Sequence, residues 1–225
     1  MIRLHFIVEG QTEEEFVNAL LRDHLVHHGV LCDARCVLTS RQGYRQFKGG
    51  VSKYKQIRRD IRLWTMEDSG RDVRFTTLFD LYRLPADFPG LADAVAIPDA
   101  YRKTELIERR FAEDIDDMRF VPHLQLHEFE TLLFSDIRIL QLEFPAAVKE
   151  VARLQNSTAS FESPELIDDG PNTSPSKRII AEIPAYEGLK VSAGPRVAAS
   201  IGLPILRNRC PHFNKWLTRL EELAL

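Results

Sequence analysis

Residues 2–16 have the sequence IRLHFIVEGQTEEEF, and this stretch predicts the first strand–turn–helix unit of the chain. β-branched and aromatic residues predict a strand over residues 2–8. Gly10 allows a sharp turn, after which we expect Thr12 and Glu15 to form a capping box. Apolar spacing extends the helix to about residue 29. The unit places one carboxylate, Glu9, at the end of the strand.

The same alternation continues through residues 1–135. Further strands are predicted at residues 30–38, 73–80 and 120–126, and helices at residues 52–68 and 99–117. This order favours an α/β fold with a mostly parallel sheet of about four strands, flanked by helices. In such sheets the catalytic and ligand-binding groups lie at the carboxyl ends of the strands.

The last part of the chain has a different pattern. A helix is predicted at residues 137–155 and a long loop at residues 156–176, followed by short helices. We expect prolines to break these helices, at Pro184, Pro195, Pro204 and Pro211. The sequence therefore predicts an α/β domain over residues 1–135 and a helical C-terminal extension over residues 136–225 that packs on it.

Composition excludes several classes of protein. The chain has 225 residues, 44% of them apolar, and a formal net charge of -3, which is typical of a soluble globular protein. Three cysteines without a C-x-x-C pair argue against a disulfide framework and a four-cysteine zinc site. No stretch approaches the roughly 18 apolar residues of a membrane span. We expect a soluble protein of the reducing cytoplasm, without membrane partners.

Acidic residues follow three of the predicted strands. Glu9 ends the first strand and Glu13 lies one turn into the next helix, Asp80 ends the third strand, and Glu128 and Glu130 follow the fourth. Because parallel strands end at one edge, these carboxylates should converge there. Hard oxygen ligands suit Mg²⁺ or Mn²⁺. Taken singly, each acid is more typical of a helix cap or a solvated loop residue than of a catalytic group, and the prediction depends on acids at three independent strand ends.

Several motifs together resemble a known family. The pattern V-E-G-x-T-E at residues 8–13, followed by F-D at residues 79–80, resembles the TOPRIM domain of topoisomerases, primases and OLD-family nucleases. An uncharacterised prokaryotic TOPRIM-like group, domain of unknown function family four-two-seven-six, is similar over residues 3–217. The matching motifs are IVEGQTEEEF, FDLYRLPADFPG, LQLHEFETLLFSD, GPNTSPSKRI and CPHFNKWL.

The resemblance implies roles for individual residues. Glu9 resembles the first-motif glutamate, a metal ligand or general base, and Glu13 the second acid of OLD-like nucleases. Asp80 matches the first aspartate of the TOPRIM D-x-D motif, but Tyr82 stands at the position of the second. Glu128 or Glu130, and more weakly Asp87, would then supply the missing carboxylate. Lys177 would neutralise substrate phosphate; alternatively, its SPSKR segment simply begins a helix at Ser176.

The implied activity is a metal-dependent phosphodiesterase, a nuclease on DNA or RNA with Mg²⁺ or Mn²⁺. Relatives resembling the chain work beside ATPases in prokaryotic defence, including phage defence, and the lack of a P-loop motif is compatible with a separate ATPase partner. Two alternatives stay open. Tyr82 favours a catalytically degenerate module that binds nucleic acid or an ATPase. The third possibility is phosphoryl transfer to a small molecule.

Residues 41–74 carry ten lysines or arginines against four acids. Such a patch would bind the phosphate backbone in a salt-dependent way. The candidate nucleic-acid-binding residues are Lys48, Lys53, Arg58, Arg59 and Arg62. A solvated helix face and an acidic protein partner are the alternatives, and the spacing of Tyr54, Ile57, Ile61 and Trp64 predicts that this stripe packs on the core.

A histidine group on the first helix, His24, His27 and His28, has metal-chelating spacing. We expect these residues to be exposed, because no acid or cysteine partner is evident in the sequence.

Overall fold

The computed structural model describes residues 1–37, 53–167 and 173–225. Its sheet has the order β2-β1-β3-β4, with β5 also paired to β3, and every strand pair among the described residues is parallel. The strands are β1 (Ile2–Val8), β2 (Val30–Cys36), β3 (Val73–Asp80), β4 (Phe120–Val121) and β5 (Leu124–Gln125). The predicted α/β fold, a mostly parallel sheet flanked by helices with further helices at the C-terminus, is confirmed.

The fourth predicted strand is two short strands. The prediction of one strand over residues 120–126 is wrong because Pro122 separates β4 from β5. Proline has no backbone N–H, so it interrupts the hydrogen bonds of a strand. The break matters for the site, because β5 continues the pairing with β3 up to Asp80.

The first helix begins earlier than predicted. Helix α1 (Gln11–Phe16) continues through a π-helical segment (Val17–Leu21) into α2 (Arg22–Val26). Its N-cap is Gly10, and the carboxylate of Glu13 accepts a hydrogen bond from the Gly10 N–H at 2.9 Å. The predicted capping box of Thr12 and Glu15 is therefore wrong, because an extended Gly10 allows the turn to start two residues sooner.

Helices α3 (Tyr54–Glu67) and α4 (Ala100–Ile115) contribute to the apolar core on one side of the sheet. Their buried faces pack with residues of β1 and β3 such as Ile7 and Phe75. The predicted stripe of α3 is confirmed, since Tyr54, Ile57 and Ile61 are buried and Trp64 is half-buried.

The C-terminal helices pack with the other side of β1, which presents Leu4, Phe6 and Val8. They are α5 (Leu140–Glu143), α6 (Val148–Thr158), α7 (Pro175–Glu182), α8 (Tyr186–Ile201), α9 (Leu203–Arg209) and α10 (Pro211–Glu221), with 3-10 turns at Leu81–Arg83, Phe129–Ser135, Ile137–Ile139, Pro164–Leu166 and Glu222–Ala224. This hydrophobic cluster draws on both predicted domains, and the boundary at residue 135 stays a prediction.

Two expectations about prolines differ from the structure. The single helix predicted at residues 137–155 is wrong, because the chain leaves α5 at Phe144 and Pro145 before α6 begins. Pro195, expected to break a helix, lies inside α8. Buried neighbours on both sides, including Ala193 and Val197, hold the helix against the core through this position.

Cys32, Cys36 and Cys210 are free thiols. Across the described ranges, none of the helices combines the length and apolar character that crossing a bilayer requires.

Candidate active site

The predicted convergence of acids at the strand ends is present in the structure. Val8, the last residue of β1, pairs with Leu78 of β3, so Glu9 follows its strand beside the end of β3 at Asp80. Asp80 itself pairs with Gln125 of β5. The chain then turns at His127, which has a φ of 61°, before Glu128 and Glu130. This left-handed backbone is rare outside glycine and marks a residue held by its surroundings.

Asp80 is one of the buried acids of the group, and one of its oxygens has no partner among the described residues. Its side chain is buried, and Oδ1 makes no hydrogen bond with any described residue. Burial raises the pKa of Asp80 well above its usual value, and the charges of Glu13, Glu9, Glu130 and Glu128 raise it further. A buried oxygen without a partner in a strongly anionic site is where a cation would be stabilised.

Glu9 and Glu13 differ in their hydrogen bonds. Burial raises the pKa of Glu13 to about 7, and the charge of Glu9 adds to the increase. Burial also raises the pKa of Glu9, against the opposing charge of Arg83, whose Nη1 lies 3.5 Å from Glu9 Oε1. Glu9 therefore has a weak cationic neighbour, whereas one oxygen of Glu13 is engaged by the Gly10 N–H.

Glu128 and Glu130 are buried next to the C-terminal helices. Both oxygens of Glu128 accept hydrogen bonds from Ser176, from the backbone N–H at 2.5 Å and from Oγ at 2.9 Å. Glu130 Oε1 lies 3.3 Å from Lys190 Nζ and accepts a hydrogen bond from the Tyr186 hydroxyl at 3.4 Å. Burial raises the pKa of Glu130, opposed by Lys190. Glu128 thus holds the start of α7, while Glu130 is bound to α8.

Four of the five acids line one cleft of about 560 Å³ between the sheet edge and α8. Among the described residues, five carboxylates and two cations line this cleft. The charged residues are Glu9, Glu13, Asp80, Glu130, Glu187, Arg83 and Lys190. An excess of negative charge of this kind favours bound cations and would repel a substrate phosphate unless cations intervene.

Lys190 is the lysine at the cleft, and no sequence motif pointed to it. It lies in the first half of α8, in a segment, EGLKVSAG, that matches none of the motifs used to predict the site. Lys177 instead lies exposed on α7 and is not among the lining residues of the cleft. Ser176 is the second residue of α7, so the expectation that it caps this helix is wrong; Ser174 holds the N-cap position.

A family model described as a domain of unknown function, DUF4276, matches residues 8–221. The chain belongs to this family. The chain is also similar to two solved structures. Both are of the C-terminal region of the OLD protein of Xanthomonas campestris pv. campestris, one phased with iodine and the other with platinum. The first shares 14% identity at a TM-score of 0.45, covering 100% of this chain and 96% of that chain. The second shares 14% sequence identity at a TM-score of 0.42, and the match covers 97% of this chain and 95% of that chain. None of the curated proteins compared with the chain matches it.

Two other residues predicted to contribute to the site have different surroundings. Tyr82, at the position of the second motif aspartate, is 43% exposed and packs its ring against His127 at a centroid distance of 5.1 Å. Asp87 accepts a hydrogen bond from the Tyr54 N–H at 2.9 Å and so caps α3. Of the residues predicted to supply the missing carboxylate, Glu130 is the one that lines the cleft beside Glu9, Glu13 and Asp80.

The basic segment is described in part. Lys48 lies outside the described residues. Lys53, Arg59 and Arg62 are exposed, at or just before α3. Arg58 is half-buried and forms an ion pair with Asp114 at 2.7 Å, and Tyr54 donates a hydrogen bond to the same carboxylate at 2.6 Å.

The described part of the chain has two groups of histidines and glutamates that could hold a metal ion, each with three ligand atoms within 4.8 Å of one another. The described acids of the cleft do not form such a group. One is His24, His28 and Glu221; Glu221 Oε1 lies 2.6 Å from His24 Nε2. The expectation that these histidines have no acidic partner is therefore wrong, since α10 supplies one. Arg207 also binds this carboxylate, at 2.5 Å.

Proposed function

We propose that this chain is a metal-dependent phosphodiesterase, a nuclease that cleaves DNA or RNA at the cleft between the sheet edge and α8. The observation that carries the proposal is the environment of Asp80. It is buried at a strand end among four glutamates, and one of its oxygens has no hydrogen-bond partner within the described residues.

The residues of the cleft fit Mg²⁺ or Mn²⁺. Both ions prefer carboxylate oxygens, and Glu9, Glu13, Asp80 and Glu130 provide them from four separate points of the lining. Glu128 does not line the cleft, and both of its oxygens already accept hydrogen bonds from Ser176, so it is the weaker candidate ligand. When bound, such ions neutralise charge on the scissile phosphate and lower the pKa of water.

The protein's own cations would hold the substrate. Lys190 and Arg83 both line the cleft and have carboxylate neighbours that a phosphate oxygen could replace. Such preorganised donors stabilise charge that develops during phosphodiester cleavage. Glu9, whose contact with Arg83 is long at 3.5 Å, is positioned to accept the proton of an attacking water.

Cleavage of labelled single- and double-stranded DNA and RNA tests the proposal, with Mg²⁺, Mn²⁺ or chelator. Glu9→Gln and Asp80→Asn should abolish metal-dependent cleavage, and Glu15→Gln, an exposed neighbour on α1, is the matched control. Lys190→Met should reduce cleavage more than Lys177→Met. Cleavage that persists in Asp80→Asn would refute the site, and equal losses in Asp80→Asn and Glu15→Gln would indicate a folding effect.

A second candidate is a degenerate module that binds nucleic acid or an ATPase without cleaving. Tyr82, in place of the second aspartate and packed on His127, is the observation that favours it. Calorimetric titration with Mn²⁺ separates the two functions. Saturable metal binding that disappears in Asp80→Asn supports the nuclease. No metal binding together with salt-sensitive DNA or RNA binding supports the module.

The exposed residues Lys53, Arg59 and Arg62 are the proposed nucleic-acid surface. Replacing all three by glutamine should weaken binding uniformly across sequences. It should also reduce the slope of log affinity against log salt by roughly one for each phosphate that the variant no longer neutralises. Lys215→Gln, an exposed lysine on α10, serves as the control. An unchanged salt slope would show that nucleic acid binds elsewhere. Action in the cytoplasm beside a separate ATPase in prokaryotic defence stays a prediction.

A further inference from the structure

Glu108, His123 and His212 form a second cluster of titratable side chains outside the acidic cleft. They come from α4, from the turn between β4 and β5, and from the first turn of α10. Glu108 Oε1 lies 2.9 Å from His212 Nε2 and 3.6 Å from His123 Nδ1, and all three ligand atoms lie within 4.8 Å of one another. The two histidines are almost fully buried.

Three nitrogen atoms lie near Glu108 Oε1, which is more than one carboxylate oxygen can accept hydrogen bonds from. The same oxygen accepts a hydrogen bond from the Leu124 N–H at 2.8 Å. A carboxylate oxygen has two lone pairs, and the N–H of Leu124 and the ring of His212 already occupy both. The Nδ1 of His123, at 3.6 Å, is too far for a hydrogen bond.

The other nitrogen of His123 and one oxygen of a neighbouring residue lack hydrogen-bond partners within the described residues. Nε2 is buried without a hydrogen bond of normal geometry in the described structure, and so is Oε1 of Gln125. Nδ1 of His123 lies on the side of the ring that faces Glu108, 3.6 Å from Oε1. A cation between these atoms would replace the hydrogen bond between His212 and Glu108 and would bring Nδ1 of His123 into the same set of contacts.

We propose that Glu108, His123 and His212 bind one Zn²⁺ ion. Ligands about 2.0–2.1 Å from a tetrahedral ion lie about 3.3–3.4 Å apart. The distances of 2.9 and 3.6 Å from Glu108 Oε1 fall on either side of that value. Two imidazoles and one carboxylate are an established zinc ligand set and do not suit Mg²⁺. A water molecule would complete the coordination.

Neighbouring aromatic packing fixes one of the ligands. The indole of Trp216 stacks on the ring of His123 at a centroid distance of 4.1 Å and an angle of 9°. Its Nε1–H donates to Thr76 Oγ1 on β3 at 2.9 Å. Ligand rings held in this way lose little freedom when an ion binds. The ion would join α4, the sheet and α10, so its role is to stabilise the fold, independently of the nuclease proposal.

Zinc content and thermal unfolding of the purified protein test the site. After incubation with Zn²⁺ and removal of excess metal, we expect one retained equivalent of zinc by elemental analysis. At free Zn²⁺ about 100-fold above Kd, the Tm should be roughly 5–10 °C higher than in chelator. Co²⁺ should give the visible absorption of a tetrahedral nitrogen–oxygen site. These measurements need no variant.

Variants then locate the ion. Glu108→Gln and His212→Ala should abolish zinc retention and the zinc-dependent rise in Tm. The double variant His24→Ala/His28→Ala, which removes the other histidine group, should keep both. A folded wild-type protein that retains no zinc would overturn the proposal. Zinc that survives in Glu108→Gln but is absent from the double variant would assign the metal to His24, His28 and Glu221 instead.

Discussion

The ionisation of Glu13 should destabilise the metal-free protein at neutral and alkaline pH. Its pKa rises from an ordinary value of 4.5 to about 7 in the folded state, first because of burial and then because of Glu9. The folded pKa lies above the unfolded one, so the contribution of Glu13 to stability is fully present below pH 4.5 and is lost as the pH rises through 7. Since a tenfold change in proton affinity is worth about 1.4 kcal/mol, the loss is about 3 kcal/mol.

Glu13→Gln isolates this effect because glutamine keeps the acceptor for the Gly10 N–H but cannot ionise. In chelator at pH 8, the variant should unfold roughly 6–12 °C above the wild type, given 2–4 °C per kcal/mol for a domain of this size. Near pH 5 the two Tm values should be close, because the wild-type Glu13 is then mostly protonated. Differential scanning calorimetry across this pH range measures both.

Mg²⁺ or Mn²⁺ should reverse the difference at pH 8, since only the wild type keeps the complete set of carboxylates and gains the binding energy of the ion. Glu15→Gln, on the exposed side of α1, should follow the wild type throughout. Parallel Tm curves for wild type and Glu13→Gln between pH 5 and 8 in chelator would refute the reasoning. They would show that neither burial nor the charge of Glu9 raises the pKa of Glu13 in the folded protein.

Three further substitutions probe contacts around the sheet. Lys190→Met should raise the pKa of Glu130 further and lower the rate of metal-dependent cleavage by roughly 10²-fold. Mn²⁺ binding, measured by calorimetry, should be retained. An unchanged cleavage rate would exclude Lys190 from the reaction. Glu165→Gln should cost about 2 kcal/mol in urea unfolding, because the two carboxylate oxygens accept from the first two amides after the N-terminal proline of α10. Trp216→Phe should lower the Tm by roughly 4–8 °C through loss of the hydrogen bond to Thr76, and no decrease would show that this bond adds nothing.

Strand periodicity and strand-end acids were enough to predict the sheet and the placement of Glu9 and Asp80. β3 begins and ends where its apolar pattern does, at Val73 and Asp80. This success has a physical reason, because parallel strands buried on both faces have continuous apolar runs and end together. The position of a carboxylate at the end of such a run is a local property that sequence alone records.

The remaining parts of the site depend on contacts between distant segments. Lys190 reaches Glu130 across 60 residues of chain, through the packing of α8 rather than through a motif. The cluster of Glu108, His123 and His212 has no regular ligand spacing, and only the docking of α10 brings its members together. Such pairings follow from the helix packing of the C-terminal part, which local periodicity does not determine.

The Gly10 N–H donates a hydrogen bond to Glu13 Oε2. Exchange of this one amide with solvent would therefore report how the Glu13 carboxylate coordinates an ion. With Oε2 committed to the backbone, Oε1 is the oxygen with which Glu13 would reach an ion. Monodentate coordination through Oε1 would leave the hydrogen bond of this amide unchanged, whereas bidentate coordination would also draw on Oε2, weaken the bond and speed exchange. Hydrogen exchange at the Gly10 amide, measured by NMR with and without Mg²⁺, would therefore distinguish the two modes of coordination in solution. Mg²⁺ is used because it is diamagnetic, unlike Mn²⁺.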